Sequence, residues 1–129
     1  MKIFKQIGKT VFTVILLTSC FSGSAKQSEK IDSLYVKLNT SEGKERVDIL
    51  NELASLSLSV DVNKSGHLAS VAIDIAAEAG YGEGLAIAQS NMADHFYYAN
   101  KADSAIIFYK KAITWFEENN KQDITSDIY

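Results

Sequence analysis

Residues 86–119 read AIAQSNMADHFYYANKADSAIIFYKKAITWFEEN, and this stretch decides the fold. Ile106, Tyr109, Ala112, Ile113 and Phe116 recur at spacings of three and four, which places them on one face of an amphipathic helix. A second helix precedes it, from about Glu83 to Ala99. Asn100-Lys101-Ala102-Asp103 reads as the turn between them, with Asp103 as the expected cap of the later helix. Two helices joined by so short a turn pack as antiparallel neighbours.

Working outward, the same spacing continues upstream. Leu68, Val71, Ala72, Ile75, Ala76 and Ala79 mark a third helix, capped by Asp61 or Asn63 and ended by Gly80 and Gly82. Val47, Leu50, Leu53, Ala54 and Leu56 mark a second over about 44–59, and Ile31, Leu34, Tyr35 and Leu38 a short first one. Downstream, Ile124 and Ile128 begin a sixth. The chain also repeats itself. A shift of 40 carries Ala72-Ile73-Asp74-Ile75 onto Ala112-Ile113-Thr114-Trp115, Ser65 onto Ala105 and Ala69 onto Tyr109. A shift of 39 carries Asn51-Glu52-Leu53-Ala54 onto Ser90-Asn91-Met92-Ala93. The repeating unit is therefore a helical hairpin. The 129 residues contain no proline, where average usage of about 5% would give roughly six, and that absence suits helices joined by Gly, Asn and Asp turns.

The copy at 86–119 resembles the tetratricopeptide repeat. Met92-Ala93 stands where that pattern has Leu-Gly, Phe96 where it has an aromatic, and Ala105, Tyr109 and Ala112 at its later small, aromatic and small positions. Small residues let helix axes approach and aromatics fill the gaps between them. Gln89 replaces the usual early Trp, Asn100-Lys101-Ala102 the usual turn, and Glu117 the closing proline. The copy at about 47–81 is weaker, with Ser57 and Ala69 at the aromatic positions. The resemblance covers roughly residues 28–129 and implies an all-α fold, antiparallel helical hairpins stacked as a tetratricopeptide-like α-solenoid. It also implies a concave groove lined by the first helix of each hairpin. The groove residues would be Ser90, Asn91, Asp94 and Tyr98, with Ile87 and Tyr97, and Asn51 and Glu52, with Asp48 and Ser55, on the preceding hairpin. A side-chain amide such as Asn91 can donate to and accept from a peptide group at once, and tyrosine offers apolar area with a polar tip. The other reading of these positions is a solvated face with two packing tyrosines. The acids Asp48, Glu52 and Asp94 suit a neutral or basic ligand.

The amino terminus has the layout of an export signal. Lys2, Lys5 and Lys9 precede the apolar run 11–17, and Thr18-Ser19-Cys20 follows it. Leu17-Thr18-Ser19-Cys20 resembles a bacterial lipobox. That reading makes residues 1–19 the signal peptide and Cys20 the lipidated amino terminus, which would anchor the protein to a membrane. Cleavage after Gly23-Ser24-Ala25 is the alternative, with a signal of 1–25. Either way the expected location is exported, periplasmic or at the outer membrane. Without residues 1–19, ten basic side chains face sixteen acidic ones, a balance that repels nucleic acid. With one cysteine and two histidines, the sequence excludes a disulfide framework and the usual zinc sites.

No catalytic constellation emerges. Gly80-x-Gly82-x-Gly84 follows a helix rather than a strand, so it reads as a hairpin loop and not a phosphate loop. His67 and His95 lie on different helices, and adjacent Asp94 and His95 point about 100° apart, which defeats a triad with Ser90. No cofactor is expected. Trp115-Phe116 reads as packing against the next helix. The last hairpin would expose part of Ile106, Ile113 and Phe116, with Ile124 and Ile128 alone to cover them. Stacked repeats need neighbours, so further repeats or a dimer partner are expected there, and the array 28–129 is expected to be incomplete. The expected function is an exported, non-catalytic scaffold binding protein or peptide segments. The alternative, drawn from the same resemblance, is the extracytoplasmic sensor region of a histidine kinase or nucleotide cyclase whose catalytic part lies beyond Tyr129.

Overall fold

Left-handed residues set two of the chain's turns, Gly80 at φ +62° and Asn100 at φ +60°. In the computed structural model, which describes residues 23–119, each follows a seventeen-residue helix: α3, Val62–Glu78, and α4, Gly82–Tyr98. Beyond α3, the Gly80 amide donates to the Ala77 carbonyl and the Tyr81 amide to that of Ala76. Beyond α4, Asn100 donates to Tyr97 and Lys101 to Phe96 in the same pattern. This paired closure satisfies the last carbonyls of a helix and needs a left-handed residue just past its end. Glycine occupies that conformation without strain, and asparagine tolerates it.

Three more helices accompany these two: α1 over residues 23–38, α2 at Gly43–Ser57 and α5 at Ala102–Glu118. Among the described residues there is no strand. α1 starts earlier than its apolar spacing predicts. The sixth helix expected at Ile124 and Ile128 lies outside the described residues, as do the apolar leader and Cys20. Among the described residues no helix is long and apolar enough to cross a membrane. Asp61 caps α3 as expected, accepting from the Lys64 amide at 3.0 Å. Asp103 does not cap α5: that position falls to Lys101, without a side-chain cap bond. Lys101 closes α4 through its amide and accepts the Ala105 amide through its carbonyl. The cap thus falls two residues before Asp103, leaving that carboxylate in the first turn, where it favours the positive end of the helix.

The chain divides into two units, Met1–Ser33 and Leu34–Tyr129. In the first, the described residues 23–33 are helical and mostly exposed. The second is an all-α stack of hairpins. α2 packs on α3, α3 on α4 and α4 on α5; α2 also reaches α4, whereas α3 and α5 do not meet. Val47, Leu50 and Leu53 of α2 and Leu68 of α3 are buried, and each such side chain contributes about 1.5–3 kcal/mol. Ala54, Ala69, Ala72, Ala76, Ala88 and Ala93 of α2, α3 and α4 are all fully buried, and residues this small let helix axes approach. Ser65, also buried, donates its hydroxyl to the Ala54 carbonyl at 2.7 Å and ties α3 to α2. The final turn of α1 is held by Arg46, whose Nη1 donates to the Leu38 carbonyl at 2.7 Å.

Burial follows the sequence period. Val47, Ile49, Leu53 and Ala54 are buried in α2, as are Ala86, Ala88, Met92 and Ala93, 39 residues on, in α4. Ser65, Ala72 and Ala76 of α3 have Ala105, Ala112 and Phe116, 40 residues on, in α5. At the carboxyl-terminal hairpin, Phe116 is only 1% exposed, packed with Ala86 and Ala112, and Ile113 is buried. Phe116 therefore turns inward between α4 and α5, and Ile113 is not left exposed. Ile106 does remain exposed, at 50%, beside exposed Ile107. Trp115 lies against Gly82 at the start of its own hairpin and meets Phe116 edge-on at 5.2 Å.

Candidate functional site

α4 carries Ile87, Ser90, Asn91, Asp94, Tyr97 and Tyr98 on one face, because residues three and four apart are neighbours on a helix. Their environments differ. Ile87 packs on the Ala86–Phe116 cluster. Ser90, Asn91 and Asp94 are half-buried, while Tyr97 and Tyr98 are 62% and 59% exposed. The two tyrosine rings meet at a right angle, 5.4 Å between centroids and 89° between planes.

Asn91 does not stand alone in the groove. Its Nδ2 donates to the Asn51 carbonyl at 3.2 Å and to Asn51 Oδ1 at 3.3 Å. Asn51 in turn donates through Nδ2 to the Gly84 carbonyl at 3.0 Å. Asn51 is 5% exposed, so it joins the two hairpins and presents no surface that a ligand could read. Glu52 and Ser55 face solvent on α2. Asp48 also faces solvent, and its Oδ1 accepts the Tyr81 hydroxyl at 2.8 Å. That bond, more than burial, raises the Tyr81 phenol from 10.0 to about 12.

The residue that sequence spacing did not place at this site is Tyr109. It reaches back from α5, and its hydroxyl donates a hydrogen bond to Asp94 Oδ1. Burial raises the Asp94 carboxyl above its ordinary value, with the Tyr109 hydroxyl pulling the other way. Burial and the Asp94 contact both push the Tyr109 phenol up. Tyr97 and Tyr98 add a smaller contribution to that shift, and they stand three and four residues beyond Asp94 on the same face of α4.

The histidines do not join this group. His67 is exposed. His95 lies over Gly66, with Nδ1 2.7 Å from the Val62 carbonyl. Because a carbonyl only accepts, Nδ1 carries the proton in that contact. A Cβ at Gly66 would stand 2.5 Å from His95 Nδ1, so the glycine is what admits the ring. Among the described residues no group of three His, Cys, Asp or Glu side chains could hold a metal ion. A separate open cleft of about 440 Å³ lies between α4 and α5, lined by Leu85, Gln89, Lys110, Thr114 and Trp115 among others. Leu85 is nine residues from Asp94, half a revolution at 3.6 residues per turn, so the cleft opens on the opposite side of α4. Comparison with protein-family models, curated proteins and solved structures finds no match to this chain.

Proposed function

We propose that this chain is an exported, tetratricopeptide-like scaffold, without catalytic activity of its own, that binds a protein or peptide segment on the α2–α4 face. The observation that carries the reading is the pair of exposed tyrosines at the end of that face, Tyr97 and Tyr98, beside the half-buried Asp94. Large aromatic surface with a polar tip is enriched where proteins bind one another. The repeat reading is supported by the burial pattern that recurs at 39 and 40 residues. It is also supported by the contact of α2 with α4 where α3 and α5 do not touch, the pattern expected of a stack that curves with its first helices inside. The export reading rests on Lys2, Lys5, Lys9, the apolar run and Cys20, with lipidation at Cys20 as the proposed anchor.

The test is chemical-shift mapping of the isotopically labelled chain against a pool of unstructured decapeptides. Movement centred on residues 87–98, reduced about tenfold in apparent affinity by Tyr97→Ala with Tyr98→Ala, is the expected result. Loss of two exposed anchors of about 1 kcal/mol each gives that factor or more. Movement spread evenly over all helices, or unaltered by the double variant, would remove the assignment. For the anchor, incorporation of labelled palmitate that Cys20→Ser abolishes is expected.

A further inference from the structure

We infer that Asp94 and the rings of Tyr97, Tyr98 and Tyr109 form a recognition site for a cationic side chain, arginine or lysine, carried by an extended peptide. This rests on the peptide-binding reading above and names the chemistry of its ligand. Tyr97 and Tyr98 stand three and four residues beyond Asp94 and so rise from the same face of α4. Their perpendicular rings form a corner. Tyr109, from α5, fixes the carboxylate through Oδ1. A carboxylate beside a corner of electron-rich ring faces is matched by an organic cation, which the charge and the ring quadrupoles both attract. A guanidinium fits best, since its plane stacks on a ring while its edge meets a carboxylate.

The rest of the fold supplies a contrast. Lys64 lies over the Tyr35 ring at 4.9 Å, Lys111 over Phe108 at 5.2 Å, Lys44 over Tyr81 at 5.3 Å and Lys101 over Phe96 at 6.0 Å. Among the described residues no lysine or arginine of the chain lies over Tyr97, Tyr98 or Tyr109, or pairs with Asp94. Four aromatics are therefore covered by the chain's own cations, while the cluster around the half-buried acid is not. Burial disfavours the Asp94 charge, and an incoming cation would offset that cost. Asp48 and Glu52 on the neighbouring helix of the same face extend the preference for positive charge.

The experiment titrates the labelled full chain with two seven-residue peptides of glycine and serine, one with a central arginine and one with citrulline, its neutral isostere. The expected result is movement of the Asp94, Tyr97, Tyr98 and Tyr109 signals by the arginine peptide. Its affinity should be about tenfold above that of the citrulline peptide, the combined scale of a cation–π contact and a partly exposed ion pair. Asp94→Asn keeps an acceptor for Tyr109 and should abolish that difference. Tyr97→Leu with Tyr98→Leu, both at exposed positions, should reduce arginine binding in a chain whose circular dichroism is unchanged. Equal binding of both peptides along α4 would overturn the cation site and leave the peptide-binding reading standing. Binding of the arginine peptide elsewhere would overturn the cation site too. No movement along α4 with either peptide, nor with the decapeptide pool, would overturn both.

Discussion

Asn51 and Asn91, forty residues apart, are hydrogen-bonded to each other across the first helices of two successive hairpins. Asn51 continues the chain of amides to the Gly84 carbonyl. These bonds register α4 against α2 at a depth where water cannot replace them, since Asn51 is buried. Asn51→Ala removes the buried donor and one of the Asn91 acceptors. Its expected cost is about 1–3 kcal/mol, the range for hydrogen bonds lost in a buried site. Asn91→Ala, at a half-buried position, should cost less, about 0.5–1.5 kcal/mol. Because the two residues share their bonds, the double variant should cost less than the sum of the singles. Denaturant unfolding of the four proteins gives the comparison, and strict additivity would show that the pair does not act as a unit.

This pair also shows what was legible in the sequence. The hairpin period could be read because Ala54, Ala72, Ala93 and Ala112 recur as small residues within an apolar spacing, and packing demands them locally. The partner of Asn91 could not be read, because an amide serves equally in a groove and across an interface, and only the docking of α2 on α4 decides between them. Tyr109 escaped for the same reason: its ring fits the packing position the repeat predicts, while its hydroxyl goes to an acid on another helix. Phe116 and Ile113 were expected at the open end because spacing gives a face without saying which neighbour it meets. Asp103 was expected as a cap because the type of residue suits one, but the turn at Asn100 and Lys101 set the helix start two residues earlier.

Gly80 and Asn100 should respond differently to alanine and glycine. Gly80→Ala forces a Cβ into the left-handed region, and the expected loss is about 1–2 kcal/mol. Nothing lies within 4 Å of the added Cβ, so the loss is conformational, not steric. Asn100→Gly removes a Cβ from the same conformation and should raise stability by a few tenths of a kcal/mol at most, since glycine also gains freedom in the unfolded chain. Thermal unfolding resolves the sign of each, and a neutral Gly80→Ala would contradict the left-handed turn.

Asp94 gives a pH dependence with a definite sign. Its carboxyl is raised above the ordinary value of 3.8, chiefly by burial. The native state therefore binds the proton more tightly than the unfolded state does. The stability tied to the protonated form is fully present below the unfolded value and is lost as pH rises through the raised native value. Asp94→Asn, which cannot ionise, should escape that loss. At pH 7 the variant should be more stable than the parent by less than about 1 kcal/mol, because solvent still screens a half-exposed group. Below pH 3 the advantage should vanish. Unfolding curves collected from pH 2.5 to 7 test this, and an advantage that grows on acidification would reverse the assignment.

The contact of Gly66 with His95 permits the sharpest test of packing, because one substitution should change sign with its background. In the parent, Gly66→Ala puts a methyl group 2.5 Å from Nδ1 of a ring held by the Val62 carbonyl. Relief requires the imidazole to move and give up that hydrogen bond, so the expected cost is about 1–3 kcal/mol. Gly66 also lies inside α3, where alanine is favoured over glycine by about 1 kcal/mol once no clash opposes it. In a His95→Ala chain the ring is gone, and Gly66→Ala should then stabilise the protein by up to that amount. The double-mutant cycle measured by denaturant unfolding should show a coupling above about 1 kcal/mol. If Gly66→Ala destabilises both backgrounds equally, the glycine serves some backbone need of α3 and not the seating of His95.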